Sequence, residues 1–319
     1  MGICDQVSQA FPPAPKFTES SIPSLAGKVY IVTGASAGVG RELARLLYSL
    51  NGTVYVAARN AEKSTAAIAW MRESHPSSTG RLEFLKLDLN DLTGIKASAE
   101  EFLAKEKRLD VLFNNAGVMV PPQGSLTAQG FDLQLGTNCI AHFLFTKFLT
   151  PLLVSTAAVS DTGSVRVIWV SSSAAHVGSP KGGVDVKALG DGVMATKNVR
   201  DKYAISKGGN VLHAIEFANR YADKGVLSVS LNPGNLKTEL GRYIPPLVNK
   251  VLTALLLHPA VNGAYTELYA GLSPDVVGMK KGEWVVPFGR IMSLRKDLAE
   301  GGNAREFWEW TEKVVEKYL

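Results

Sequence analysis

Cysteine is scarce in this chain, with only Cys4 and Cys139 among 319 residues. Cys4 lies near the N-terminus and Cys139 in an apolar stretch expected to be helical, so we predict no disulfide between them and a reducing compartment. Cys139 is interpreted as a small buried apolar residue. The five histidines show no zinc-type spacing with the cysteines, and we predict no metal site.

Long hydrophobic runs are also missing. No run reaches 18 apolar residues, and the N-terminus "MGICDQ" lacks the apolar core of a secretory signal. Gln6 stands where a myristoylation motif has Ser or Thr. We therefore predict no transmembrane span and a cytoplasmic location. The apolar segment 244–258 leaves peripheral membrane contact open.

Charge is not concentrated in one part of the chain. The net charge is +5, but the basic residues are spread along the sequence. A nucleic-acid-binding surface needs clustered Lys and Arg, so we predict no nucleic-acid partner.

The residues that are abundant predict a large α/β domain. Hydrophobic residues make up 46% of the chain, enough for one large core. Residues 1–27 contain "FPPAPKF" and predict an extended N-terminal arm. We expect residues 28–319 to form a single domain.

Short apolar runs alternate with helical patterns from residue 28 onward, which predicts a doubly wound parallel sheet with helices on both faces. The strand candidates are "KVYIVTG", "TVYVAAR", "LEFLKLDL", "LDVLFNNAG", "SVRVIWVSS", "LSVSLNPG" and "EWVVPF". The helix candidates are Val39 to Leu50, Ala61 to Glu73, Asp91 to Lys107, Phe131 to Leu153 and Val199 to Ala222, and the tail around Trp308 is expected to be a packed helix. Ala174 to Asn198 shows little periodicity and predicts a long loop.

The stretch "TGASAGVG" follows the first strand and opens the first helix. Gly34 permits a tight turn, Gly38 lets the backbone approach a pyrophosphate, and Gly40 allows close packing of helix on strand. We expect Ser36 and Val39 to contact the same phosphates at the helix N-terminus. The alternative is a glycine-rich turn without a ligand.

The end of the second strand carries basic residues. A dinucleotide without a 2′-phosphate usually meets Asp or Glu there, but this chain has Arg59, with Lys63 one turn later. A guanidinium suits a phosphate, so we predict NADP(H) rather than NAD(H). The alternative for Arg59 is an ordinary solvated surface charge.

In "YAISK", Tyr203 and Lys207 are four residues apart and leave the same face of a helix. An ammonium beside a phenol would lower the pKa of the phenol and make Tyr203 a usable proton donor and acceptor. The alternative is a surface helix with a half-buried Tyr and a solvated Lys.

These motifs together resemble those of the short-chain dehydrogenases/reductases. The matching pieces are "TGASAGVG", Asp88-Leu89, "NNAG", Asn138, the serines of "WVSSS", "YAISK" and "NPGNLKT", in the family's order over residues 28 to 240. The resemblance implies a Rossmann-like fold. Within the family the chain looks most like the retinol-dehydrogenase-like group, and the closing "GEWVVPFGR…LRKDL…FWEW" is similar to fungal members.

The resemblance implies a catalytic set formed by Tyr203, Lys207, Ser172 and Asn138. The family's apolar-Ser-Ser pattern, set against Val170, selects Ser172 from the run of three serines, and strand alternation turns Ser172 away from its neighbours. Tyr203 would be the general acid or base, and Ser172 would hydrogen bond to the same substrate oxygen.

The resemblance also implies that Asp88 binds the adenine, that Asn115 and Thr238 contact the cofactor, and that Asn114 braces the sheet. The link from Ser172 to Tyr203 is longer than in compact members, which leaves the wall over the substrate unspecified. Residues 241–258 follow the last cofactor motif and are interpreted as a substrate lid, with packing on the core or on another subunit as the alternative. Homo-oligomerization stays open.

The expected activity is NADPH-dependent interconversion of a carbonyl and an alcohol on a medium-sized apolar substrate. Two alternatives remain at this point. The same residues would serve reduction of an imine or an activated alkene, and the chain would also fit a non-catalytic NADP-binding regulator.

Overall fold

The computed structural model describes residues 3–190, 193–241, 243, 256–301 and 303–319. One eight-stranded sheet forms the centre of the molecule. Its strands are β1 Val29–Thr33, β2 Thr53–Ala58, β3 Arg81–Lys86, β4 Val111–Asn114, β5 Arg166–Val170, β6 Leu227–Leu231, β7 Glu283–Val286 and β8 Arg290–Ser293. They lie in the order β3-β2-β1-β4-β5-β6-β7-β8. Strands β1 to β7 run parallel and β8 runs antiparallel to β7.

The strands alternate their side chains between two hydrophobic cores. In β1, Val29 and Ile31 enter one core while Tyr30 and Val32 enter the other. Successive side chains of a strand point to opposite faces, so a near-continuous apolar strand serves two cores at once. This arrangement confirms the predicted doubly wound α/β fold. The antiparallel β8 was not predicted.

The described residues contain twelve α-helices. They are α1 Ile3–Ala10, α2 Gly38–Ser49, α3 Ala61–Ser74, α4 Ile95–Lys105, α5 Leu133–Ala157, α6 Ser173–Val177, α7 Lys187–Gly190, α8 Val193–Thr196, α9 Val199–Tyr221, α10 Ala260–Leu272, α11 Lys296–Glu300 and α12 Asn303–Val315. Helix α5 contains a π-helical segment at Gly136–Ile140. Side chains of α2, α3 and α10 fill one core, and those of α4, α5, α9 and α12 fill the other.

The sequence predicted an extended arm over residues 1–27, but part of this segment is helical. Residues 3–10 form α1, because the prolines that prevent a helix begin only at Pro12. Helix α1 lies against the domain. Its Gln9 Oε1 accepts a hydrogen bond of 2.9 Å from Asn232 Nδ2, and its Ser8 carbonyl accepts one of 2.8 Å from Arg290 Nη2.

Helix α5 is long and apolar enough to cross a membrane by length and composition, although no spanning segment was predicted. In the most apolar 18-residue window of this helix, 67% of the residues are buried inside the molecule. Leu144, Phe145 and Leu149 are fully buried in the core. Helix α5 is therefore a core helix, and its apolar side chains pack against other parts of the protein.

The link between β5 and α9 differs from the predicted long loop. It contains the short helices α6, α7 and α8, which are too brief to leave a periodic pattern in the sequence. At the C-terminus the predicted packed helix is confirmed, since Trp308 is 5% exposed and its ring lies 4.7 Å from that of Phe143. Cys139 is buried and unpaired, as expected.

Glu267 is an unusual member of the core. It lies on α10, is fully buried, and neither carboxyl oxygen has a hydrogen-bond partner among the described residues. Burial disfavours the charged carboxylate and raises the pKa of Glu267 from 4.5 to about 8, although Lys207 opposes this shift. The carboxyl is therefore protonated and neutral near pH 7.

This protonation makes stability depend on pH. Between about pH 4.5 and 8 the folded protein holds the Glu267 proton and the unfolded chain releases it, so the free energy of unfolding falls as pH rises. We expect Glu267→Gln, which mimics the neutral acid, to raise the melting temperature by a few degrees at pH 8 and to change it little at pH 5. Thermal melts across this range test the expectation. Glu309→Gln, on the exposed side of α12, is the control. Equal effects at both pH values would contradict the protonated assignment.

Candidate active site

A cavity of about 680 Å³ opens at the carboxyl ends of β1, β2 and β4. Chain order in the sheet reverses between β1 and β4, and ligands of open α/β sheets bind at such a switch point. Every residue that the sequence predicted for cofactor binding, except Tyr203 and Lys207, lines this cavity. These residues are Gly34, Ser36, Gly38, Val39, Gly40, Arg59, Lys63, Asp88, Asn115 and Thr238.

The glycine-rich turn forms a cradle that side chains would fill. Gly34 and Gly38 have φ angles of 71° and 59°, in the left-handed region. A Cβ at Gly34 would lie 2.9 Å from the Cα of Ala116, and one at Gly40 would overlap Asn115 Nδ2 and lie 2.9 Å from the carbonyl oxygen of Gly34. Helix α2 begins here, and its N-cap Ala37 has no side-chain acceptor for the first N–H groups. This cradle fits the pyrophosphate of a dinucleotide.

Thr33 and Asn115 lock the turn to the loop after β4. Asn115 Nδ2 donates to the Thr33 carbonyl at 2.7 Å, and the Ala116 N–H donates to Thr33 Oγ1 at 2.9 Å. Asn115 lines the cavity, but its side-chain amide donates to Thr33 and so joins the end of β4 to the end of β1. Asn114 was expected to brace the sheet, but the hydrogen bond that its side chain makes joins β4 to helix α5: its Nδ2 donates to Thr146 Oγ1 at 2.9 Å.

The rim of the cavity is basic at one end. Arg59 and Lys63 are exposed, and Lys63 Nζ lies 4.0 Å from Glu239 Oε2 across the opening. Asp88 lines the same end, and its Oδ1 accepts a hydrogen bond of 2.9 Å from the Asn90 N–H. Glu239 was missed because it belongs to no motif.

The structure brings Ser172, Tyr203 and Lys207 together where β5 meets α9. The Ser172 side chain lies close enough to the Tyr203 phenol to lower the pKa of that phenol. Lys207 Nζ lies 5.9 Å from the centroid of the Tyr203 ring and donates to the Val170 carbonyl at 2.8 Å. Lys207 also lies next to the cavity, because a Cβ at Gly117 in the cavity wall would be 3.5 Å from its Nζ.

The three consecutive serines have different surroundings. Ser171 is buried, and its Oγ donates to the Lys207 carbonyl at 2.7 Å. Ser172 is the N-cap of α6, where its Oγ accepts from the Ala174 N–H at 3.2 Å, and it is the serine that lies beside the Tyr203 phenol and lowers its pKa. Ser173 is the first residue of α6. The register selected from the sequence therefore places the predicted serine beside the tyrosine.

The expected lowering of the tyrosine pKa is wrong for this structure. Burial raises the pKa of Tyr203 to about 12, and the nearby Ser172 hydroxyl offsets only part of that increase. Burial also lowers the pKa of Lys207 to about 8. At 5.9 Å from the ring, with its ammonium directed at Val170, Lys207 does not overcome the desolvation of the phenolate.

Asn138 lies in the π-helical segment of α5 and is fully buried. Its Oδ1 accepts from the Val118 N–H at 2.9 Å, and its Nδ2 donates to the Val118 carbonyl at 3.1 Å and to Ser206 Oγ at 2.9 Å. Asn138 thus joins the loop after β4 to the helix that carries Tyr203 and Lys207. The catalytic role that the resemblance implies for Asn138 stays a prediction.

Two further braces were missed from the sequence. Gln134 accepts from the Val120 N–H and donates to the Val199 carbonyl, both at 2.9 Å. Lys202, which precedes Tyr203, forms a buried ion pair of 3.3 Å with Asp132. These partners are far apart in sequence and belong to no local pattern, so only the fold reveals them.

The predicted lid at 241–258 lies largely outside the described residues. Gly241, Tyr243 and residues 256–258 are described, and Tyr243 lines the cavity. The lid assignment stays a prediction.

Comparison with known proteins identifies the family. The family model described as short chain dehydrogenase matches residues 28–184. A Phomopsis amygdali protein named "Short-chain dehydrogenase/reductase" is 50% identical over 325 residues, covering 98% of this chain and 96% of that protein. "Short-chain dehydrogenase/reductase pkfC" from Emericella nidulans is 47% identical over 309 residues, covering 96% of this chain and 98% of that protein.

The fold has solved relatives as well. The crystal structure of an uncharacterized protein from Mycobacterium paratuberculosis matches with a TM-score of 0.70 and 27% identity, covering 94% of this chain and 97% of that chain. The sheet order, the glycine cradle and relatives matched over nearly their whole length lead to one conclusion: this chain belongs to the short-chain dehydrogenase/reductase family, whose members are oxidoreductases that use NAD(P)(H).

Proposed function

We propose that the protein is an NADP(H)-dependent oxidoreductase that interconverts a carbonyl and an alcohol on a medium-sized apolar substrate. The observation that carries the proposal is the placement of Ser172 beside Tyr203, one helical turn before Lys207 and close to the cavity that the glycine cradle lines. The scarcity of cysteine favours a reducing compartment such as the cytoplasm. Placement in the retinol-dehydrogenase-like group stays a prediction.

In this mechanism Tyr203 supplies the proton for carbonyl reduction. With a pKa of about 12, the phenol is protonated at neutral pH and is ready to act as a general acid. Ser172, which lies beside Tyr203, donates to the same substrate oxygen, where negative charge develops. In the alcohol-oxidizing direction Tyr203 accepts the proton. The bound cofactor supplies or accepts the hydride.

Lys207 and Asn138 support this pair. The buried Lys207 side chain reaches the region between Val170 and the cavity wall at Gly117, where it is placed to hydrogen bond the nicotinamide ribose and to stabilise the phenolate. Asn138 keeps Val118 next to this site through two backbone hydrogen bonds.

Two features support the choice of cofactor and substrate. Arg59 and Lys63 at the rim offer positive charge to a 2′-phosphate, and the exposed Lys63–Glu239 pair is weak enough to be replaced by one. The same cavity is lined by the large apolar side chains of Leu126 and Tyr243, which are 57% and 46% exposed and suit an apolar substrate.

Tyr203→Phe tests the acid–base assignment. We expect turnover with NADPH and a ketone to fall about 10²–10⁴-fold, because the variant lacks the proton that the carbonyl oxygen requires. NADPH binding, measured by fluorescence titration, should persist. Tyr221→Phe removes a hydroxyl farther along the same helix and should leave turnover unchanged. Near-normal turnover in Tyr203→Phe would refute the assigned role.

Alanine substitutions in the serine run test the register. Ser172→Ala should cost far more turnover than Ser173→Ala, because only Ser172 contacts Tyr203. Ser171→Ala should act mainly on thermal stability, since Ser171 bonds the Lys207 carbonyl within the core. Steady-state kinetics and melting temperatures of the three variants separate these effects. The register would be off by one if Ser173→Ala proved the most damaging to turnover.

Arg59→Ala tests the cofactor choice. We expect the Michaelis constant for NADPH to rise about tenfold, as for loss of one charge-assisted phosphate contact, and that for NADH to change little. Arg305→Ala, an exposed arginine on α12, is the control. Equal effects of Arg59→Ala on both cofactors would assign Arg59 a structural role instead.

A further inference from the structure

Arg295 follows β8 in the closing stretch "LRKDL", outside the cofactor and catalytic motifs, and binds the chain segment that begins at Ser172. Its Nη1 donates to the carbonyls of His176 at 2.8 Å, Ser179 at 3.2 Å and Ala175 at 3.5 Å. Its Nη2 donates to the Pro180 carbonyl at 2.7 Å and to Ser179 Oγ at 3.1 Å. One guanidinium therefore holds several consecutive groups at the end of α6.

Asp297 completes this brace. Its carboxylate accepts hydrogen bonds from Arg295 Nε at 2.7 Å and Arg295 Nη2 at 3.0 Å. It also accepts one from the Gly182 N–H at 2.6 Å. Burial opposes the charge on Asp297, but the hydrogen bonds from Arg295 and Gly182 outweigh it and hold its pKa below the usual value. The pair thus ties residues 175–182 to the C-terminal part of the chain.

The tie acts on the element that presents Ser172. Ser172 is the N-cap of α6, and Arg295 binds two carbonyls in the last turn of this five-residue helix and two in the residues that follow it. So short a helix is marginal by itself and leaves its last carbonyls without intrahelical partners. A cation placed there satisfies these carbonyls and interacts favourably with the helix dipole.

Arg295 is not itself available to a ligand. Nε is used by Asp297, and both terminal nitrogens are used by the α6 end and by Asp297. A second contact from the C-terminal region reinforces the same link, since Asn303 Nδ2 donates to the Val184 carbonyl at 3.0 Å. The charge of Arg295 therefore organizes backbone and does not bind substrate.

We propose that Arg295 is a positioning residue of the active site: by clamping the end of α6, it holds Ser172 in register with Tyr203 and fixes the wall over the substrate. This inference rests on the proposed carbonyl–alcohol activity. In this proposal the C-terminal segment supports the long link between Ser172 and Tyr203. The cofactor cradle, built from β1, β2 and β4, does not depend on this brace.

The kinetic test compares Arg295→Ala with Lys296→Ala. Lys296 is adjacent in sequence, and its side chain is 85% exposed, which makes it a matched control. With NADPH and a 2-alkanone series we expect Arg295→Ala to lower kcat/KM for the ketone about 10–10²-fold, as small misplacements of reacting groups do. The dissociation constant of NADPH should stay within about twofold of the wild-type value, the scatter expected at a site the change does not contact. Equal loss of NADPH binding and turnover, or no loss of turnover, would overturn the proposal.

Two further measurements separate positioning from general instability. Ethylguanidinium chloride added to Arg295→Ala should restore part of kcat, because the Arg295 side chain is 23% exposed and its site is reachable from solvent. Ethylammonium chloride, which lacks the planar fork of donors, should not. Equal recovery with both salts would contradict a specific clamp.

Hydrogen exchange distinguishes failure of this inference from failure of the proposed function. Amides of residues 173–183 should exchange faster in Arg295→Ala than in Lys296→Ala, with the amides of the glycine cradle unchanged. This readout needs no turnover. If the wild-type protein binds NADPH but reduces no carbonyl, the proposed activity fails, while the exchange pattern still decides whether Arg295 braces α6. Unchanged hydrogen exchange of the amides of residues 173–183 in Arg295→Ala would contradict the proposed role of Arg295.

Discussion

The contact between the loops that leave β1 and β4 is the constraint on which the site depends. Thr33 accepts hydrogen bonds from Asn115 through its carbonyl and from the Ala116 N–H through its hydroxyl. This contact is so close that Gly34 and Gly40 have no room for a Cβ. The glycine cradle and the cavity wall at Gly117, next to Lys207, are therefore held together at the same edge of the sheet.

Burial, more than ion pairing, sets the protonation states near the centre of the molecule. It raises the pKa values of Tyr203 and Glu267 and lowers that of Lys207. Two acids are thus kept neutral, and one base loses its proton more readily than in water. The tyrosine is prepared as a proton donor without a phenolate being formed in advance, which agrees with a role in carbonyl reduction.

Local patterns were sufficient for the fold and for the candidate cofactor-binding residues that line the cavity. Apolar runs alternating with helical periodicity indicate the parallel sheet, because a strand buried on both faces has few polar positions. The spacing of Tyr203 and Lys207 places both on one helix face, and the glycines follow the first strand directly. The same logic failed for α1, for β8 and for the short helices after Ser172, whose few residues carry no period.

The sequence by itself therefore determined the doubly wound architecture, the family and the set of candidate site residues, since each depends on neighbours within one strand or helix. The tertiary structure decided the pairing of Ser172 with Tyr203, the upward shift of the tyrosine pKa and the brace from Arg295. These properties depend on burial and on partners distant in sequence, such as Arg295 and His176, which are 119 residues apart. Contacts of that kind form only when the sheet brings distant segments to a common edge.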